Sequence, residues 1–147
     1  MNKAKNKELF VRGALPANLI SEILKEHQSD SQTGAYSIFI GQVRGDETSG
    51  SRVVAVDFTN HAKISETKYA EIRNSLFEKY HITDLMAYHS EGKVTVGEIC
   101  FLVLAASAHR REAILACNEA VERIKSELPI WGKLLLGDDG VKWKENS

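Results

Sequence analysis

Apolar residues along this chain follow two periods, and each change of period marks an element. Residues 108–128 carry the clearest helical signal. Ala113, Ile114, Cys117, Ala120, Val121, Ile124 and Leu128 share one face there, at about 100° per residue. A second helix is expected from Asn60, a capping residue type, to about Tyr80, with Tyr69, Ile72, Leu76, Phe77 and Tyr80 as its stripe. A third opens at Pro16, a residue suited to a first turn, and runs to about Gln28 with Leu19, Ile20, Ile23 and Leu24 on one side.

Between the helices lie short apolar runs bounded by turn residues. Leu9-Phe10-Val11 and residues 35–43, 53–58, 84–89 and 98–106 read as strands. Gly92 and Gly97 mark turns around Val94-Thr95-Val96. Residues 131–136 and 141–144 read as a closing hairpin across Gly137-Asp138-Asp139-Gly140. Residues 29–34 form a loop, and the polar stretch 45–51 reads as an exposed, mobile one. Strands and about three helices mix without strict alternation. That pattern predicts an α+β fold with mixed or antiparallel strands, not a doubly wound parallel sheet.

Composition narrows the class. A chain of 147 residues fits one domain, here residues 1–147, and buries roughly 70% of its unfolded surface without staples. A net charge of −1 and no basic, aromatic surface run argue against a nucleic-acid binder. The basic start, residues 1–7, has no apolar stretch behind it, so it reads as a disordered end and not a secretory signal. No apolar run approaches the roughly 20 residues that span a bilayer. A cytoplasmic protein without membrane contact follows. Cys100 and Cys117 sit among apolar residues and read as small buried hydrophobes. No CxxC or HExxH spacing occurs, so no metal site is expected.

The chemistry concentrates around the helix at 108–128. Arg110 projects along the stripe direction, inward or into an interface, and Arg110 and Arg111 lie in a first turn where the helix dipole disfavours cations. An anion nearby would offset that cost, held by His109, Arg110 and free backbone N–H groups. The alternative is a pairing of Arg110 with a core-edge carboxylate such as Glu98. Lys125 flanks the stripe, either snorkelling to water or, if desolvated, acting as a base or nucleophile. Pro129 ends the helix, Trp131 anchors the turn, and Lys133 follows near Lys125. Arg44 ends a strand before a polar loop, a common place for a binding residue. The residues alone stop at an α+β domain with a candidate anion site from Arg44, His109, Arg110, Lys125 and Lys133. A phosphate-ester or nucleotide-binding protein fits that much.

Several short runs, in order and at matching spacing, carry a resemblance. They are Gly41-Gln42-Val43-Arg44; His89 with Gly92, Gly97 and Glu98; Ser107-Ala108-His109-Arg110; Lys125; Pro129-Ile130-Trp131; and Trp143-Lys144-Glu145-Asn146. Over residues 35–146 the chain resembles the large, catalytic subunit of molybdopterin synthase. The resemblance implies an α/β-hammerhead fold and a homodimer within a heterotetramer, each protomer binding a small ubiquitin-like subunit. It implies a sulfurtransferase that moves sulfur from that subunit's Gly-Gly C-terminal thiocarboxylate to cyclic pyranopterin monophosphate. The product is the molybdopterin dithiolene, made with no cofactor or metal in the protein. Arg44, His109 and Arg110 would hold the phosphate and pterin with the neighbouring protomer's help, and Lys125 would act at the thiocarboxylate. Gln42, Val43, Gly132, Lys133 and Leu134 complete the substrate-binding set. Four positions depart from the family's pattern. Gly132 stands where many relatives have lysine, leaving Lys133 to take over as the second catalytic lysine. Ser90 stands in place of arginine after His89, His61 and Ile64 replace tyrosine and methionine, and Gln42 replaces lysine. An inactive module that only docks the small subunit is the competing reading.

Overall fold

The computed structural model describes residues 9–48 and 50–145; the expectation for residues 1–7 lies outside them. The elements in order are β1 (Phe10–Arg12), α1 (Leu19–His27), β2 (Ala35–Gln42), β3 (Glu47–Thr48), β4 (Ser51–Asn60), α2 (Ala62–Lys79), β5 (Ile82–Thr95), β6 (Ile99–Ser107), α3 (Arg110–Glu127), β7 (Ile130–Leu136) and β8 (Val141–Trp143). The strands join in the order β2-β6-β5-β4-β7-β8, antiparallel throughout this path, with β1 parallel to β5 and β3 paired to β4. The α+β class with three helices is what the pattern predicts.

β5 is the spine, and here the structure corrects the sequence reading. Residues 84–89 and Val94 belong to one 14-residue strand, not to two segments about a turn. Its first half pairs with β6 and its second half with β4. Gly92 bends the strand instead of ending it. Its φ of +85° is a conformation that only glycine adopts without strain, and the Arg12 guanidinium lies over its bare side.

Helices α2 and α3 cover one face of the β2-β6-β5 half. Ile72, Leu76 and Ile124 pack there with Leu85, Val103 and Ala105. The inward face of α3 is rich in small residues, Ala113, Ala116, Cys117 and Ala120, which lets the helix sit close to the sheet. Ile114 is 53% exposed, contrary to the expected stripe, because Ala116 takes its place facing the sheet. The other face is covered by α1, through Ile23 against Met86, Leu102 and Leu104. A third cluster, Val43, Val56, Phe58 and Val94, lies under the β4-β7 half, next to the cavities described below.

Smaller differences have local causes. His61, not Asn60, caps α2, its ring Nδ1 accepting from the Ile64 N–H, while the Asn60 side chain donates to Glu91. Glu47 and Thr48, expected in a mobile loop, pair with Arg52 and Ser51, and Arg52 bonds both Glu47 and the Gly45 carbonyl.

Candidate active site

Two adjoining cavities open where the end of β2, the strands β4 and β7 and the last turn of α3 converge. The smaller, about 200 Å³, is walled by Phe58, His89, Phe101, Ile130, Trp131 and Gly132. The larger, about 510 Å³, runs past Val43, Arg44, Asp46, Leu134 and Lys142. Gly41, Gln42, Cys100, Lys125 and Lys144 line both, so they mark the junction.

Local sequence explains how these groups come together. The ladder between β2 and β6 slips at Gly41/Gln42, a bulge that re-aims the strand end towards the cavities. Lys125 sits in the last turn of α3, where the helix dipole favours a cation, and it is half-buried. Lys144 follows β8 and lies opposite Gly132, its backbone N–H donating to the Gly132 carbonyl at 2.7 Å.

The walls are electrostatically uneven. His89 is buried among Phe10, Phe58 and Phe101, with ring centroids 6.3, 5.0 and 5.2 Å away. Burial pushes its pKa down to about 4, and the charges of Lys144 and Lys125 push the same way. It is therefore neutral at physiological pH. Its Nδ1–H donates to the Ser90 carbonyl at 2.8 Å, which makes Nε2 the acceptor nitrogen. Burial raises the pKa of the Cys100 thiol, keeping it protonated. The Lys144 ammonium is shifted down, first by lost water and then by the Lys125 charge. Lys144 as a whole residue is exposed, so water screens part of this effect. Arg44 meets Asp46 at 3.2 Å in a largely exposed pair that holds neither tightly.

The predicted residues divide into three groups. Gln42, Val43, Arg44, Lys125, Gly132 and Leu134 all line a cavity. Lys133 does not: it is on the opposite face of β7 from Gly132, with its ammonium 5.9 Å from the Trp143 ring centre. Strand alternation puts neighbours 132 and 133 on opposite faces, so a lysine one position along cannot fill the same place. His109 and Arg110 are exposed at the other end of α3. Fifteen helical residues separate Arg110 from Lys125, about 22 Å. The pairing of Arg110 with Glu98 does not form, since Glu98 accepts from the Thr95 backbone N–H and hydroxyl. Sequence reading passed over Lys144, Cys100 and His89 as site residues. Among the described residues no cluster of metal-ligating side chains occurs, and no helix is long and apolar enough to cross a membrane.

In this α+β fold Lys125 and Lys144 stand at the junction of a narrow, mostly apolar cavity and a wider one lined by charged residues of both signs, an arrangement suited to an anionic ligand. The chain belongs to the MoaE protein family, whose match covers residues 16–127. It is 35% identical over 117 residues to the molybdopterin synthase catalytic subunit of Pyrococcus abyssi, covering 80% of this chain and 78% of that one. The protein of that name from Staphylococcus aureus is 32% identical over 124 residues, 84% and 82% of the two chains. The rice relative (Oryza sativa subsp. indica), also 32% identical, is longer, and the alignment spans 82% of this chain but 62% of it. The crystal structure of molybdopterin synthase from Staphylococcus aureus is similar at a TM-score of 0.82 and 27% identity, covering 97% of this chain and 99% of that one. A complex of subunits 1 and 2 of molybdopterin-converting factor from Helicobacter pylori shares the fold at a TM-score of 0.79 and 20% identity, over 92% and 88% of the chains.

Proposed function

We propose that this chain is the catalytic, sulfurtransferase subunit of a molybdopterin synthase, acting in the cytoplasm as one domain. Its substrate is cyclic pyranopterin monophosphate, and the sulfur comes from the C-terminal thiocarboxylate of a small ubiquitin-like subunit. The observation that carries this reading is the position of Lys125 at the junction of the two cavities. A Gly-Gly tail has no side chains and suits the narrow, apolar cavity beside Trp131. A phosphate-bearing pterin suits the wider one, where Arg44 and Lys142 supply positive charge.

At the junction the thiocarboxylate sulfur attacks a side-chain carbon of the pterin, and as the C–S bond forms the C–O bond at that carbon breaks and the oxygen leaves with a proton. Water then adds to the acyl carbon, the acyl carbon–sulfur bond breaks, the tail leaves as a carboxylate and the sulfur stays on the pterin. Negative charge develops on the acyl oxygen, and the Lys125 ammonium stabilises it. Holding both reactants in one place is itself a large part of the acceleration.

His109 and Arg110 reach such a site only from a second copy. β2 is the edge of the described sheet, and its outward row Tyr36, Ile38 and Ile40 is exposed. At one end of β2, Gly34 lies against the Ala108 carbonyl, next to His109; at the other end are Gln42 and Arg44. Antiparallel pairing of two β2 edges sets the first end of one protomer beside the second end of the other. His109 and Arg110 then face the partner's cavities, where they contact the phosphate.

Subunit mixing tests both points. Lys125→Ala and Arg110→Ala homodimers should each be inactive with the thiocarboxylated small subunit and the pterin. After exchange, mixed dimers carry one intact site, and activity should recover to about a quarter of wild type. Absence of recovery would refute the shared site, and absence of product from the wild-type complex would refute the function.

A further inference from the structure

Position 132 has no side chain on the cavity wall, yet the wall there is not bare. The register pairs Lys133 with Trp143, so Gly132 and Lys144 face each other across β7 and the end of β8, on the cavity side. A Cβ built on Gly132 would meet the Lys144 side chain at 3.3 Å (Cδ) and 3.4 Å (Cβ), and Val56 at 3.0 Å. The Lys144 stem therefore lies over Gly132 and occupies the space a side chain at 132 would need. Lys144 lines both cavities, as Lys125 does. Some cations elsewhere on the chain are balanced by carboxylates, Lys79 by Glu119 and Arg123 by Glu127. Lys144 forms no salt bridge among the described residues, though Asp46 is near enough to be felt.

An ammonium held close to a second ammonium, without a carboxylate on it, is costly unless an anion arrives between them. We propose that Lys144 is the second catalytic lysine of the site, contacting the reacting acyl-sulfur group jointly with Lys125. It takes the place that Lys133 cannot reach and that Gly132 leaves open. The inference rests on the sulfur-transfer reading. It adds that the second charge comes from the strand opposite position 132. The lowered proton affinity of Lys144 fits, because a thiocarboxylate bound between the lysines would restore it.

The test uses the complete complex and four variants. Lys144→Met keeps the apolar stem over Gly132 and removes the charge; its single-turnover rate of sulfur transfer should fall roughly tenfold or more. Lys144→Arg should retain most of the rate. Gly132→Lys combined with Lys144→Ala moves the ammonium to the facing strand, with Val56 yielding slightly, and should run well above Lys144→Ala alone. A wild-type rate in Lys144→Met, while Lys125→Ala is inactive, would overturn the role of Lys144 and leave the sulfur-transfer reading intact. A double variant no faster than Lys144→Ala would also count against it. Turnover in Lys125→Ala would instead overturn the reading on which the inference rests.

Discussion

Asp84 is a buried charge outside the site. It is 2% exposed, and its carboxylate accepts from His27 Nε2 at 2.5 Å, from Arg73 at 3.1 Å and from the Leu85 backbone N–H at 2.8 Å. His27 Nδ1 bonds the Ile23 carbonyl at 2.7 Å, so both ring nitrogens face acceptors, which favours the imidazolium. Burial works against that charge. The bonds to the Ile23 carbonyl and the Asp84 carboxylate outweigh it, and the pKa of His27 is raised. The cluster ties α1 and α2 to β5. Asp84→Asn keeps the shape, leaves the buried His27 imidazolium without its carboxylate and takes one anionic partner from the half-buried Arg73, a loss of about 3–5 kcal/mol when the His27 pair is nearly dry. For a chain of this length that lowers the melting temperature by roughly 10 °C. The loss should depend on pH. At pH 5.5 the unfolded chain holds the His27 proton, and the variant must either bury a lone imidazolium or give the proton up. At pH 8 it folds with neutral His27 and the loss shrinks. Sign follows from linkage: a raised folded pKa contributes stability fully below the unfolded value of 6.5, lost as pH rises through the folded value. Urea unfolding of both proteins at the two pH values measures this. A loss under about 1 kcal/mol at both would refute the reasoning, since that is the scale of an exposed pair.

Three further outcomes follow from other parts of the structure. Gly34→Ala forces a Cβ against the Ala108 carbonyl; it should cost about 1–3 kcal/mol in urea unfolding and reduce activity further, because the turn carrying His109 must move. Ile38→Lys puts a charge in the exposed row of the edge strand and should shift the chain from dimer to monomer in sedimentation, with loss of turnover. Cys100 should react with iodoacetamide at pH 8 more slowly than in the urea-unfolded chain, because burial raises its pKa. The reaction should be slower still in Lys144→Met, because the Lys144 charge pulls that pKa down.

How much of this was legible in the sequence depends on the kind of information each feature needs. Period alone placed α3, because Ala113, Cys117, Ala120, Val121 and Ile124 repeat at helical spacing and are buried. It misassigned Ile114, since at a stripe edge the choice between Ile114 and Ala116 is made by the sheet below. Gly92 was read as a turn because glycine punctuates both turns and bent strands, and only the neighbouring strands β1 and β4 distinguish them. Lys125 and Arg44 were legible from the motifs around them. Lys144 was not, because finding it needs the register of the last hairpin. Centring that hairpin on Asp138-Asp139 would pair Gly132 with Glu145. The actual turn is Gly137-Asp138-Asp139, with Asp139 at φ +65° and Leu136 bonded to Gly140, which pairs Gly132 with Lys144. One residue of slip reverses every side chain to the other face. The same alternation removed Lys133 from the site. The distance between Arg110 and Lys125 was implicit in the helix length, and it is the ground for proposing that a second copy supplies His109 and Arg110.

Reconstituted sulfur transfer tests the central claim most directly. The purified chain would be combined with a thiocarboxylated small subunit and cyclic pyranopterin monophosphate, and the product followed as its fluorescent oxidised pterin. The account predicts dithiolene product from the wild-type chain and none from Lys125→Ala, with that variant still folded, dimeric and binding the small subunit. Tight binding of the small subunit by the wild-type chain with no product would contradict it and leave a docking module.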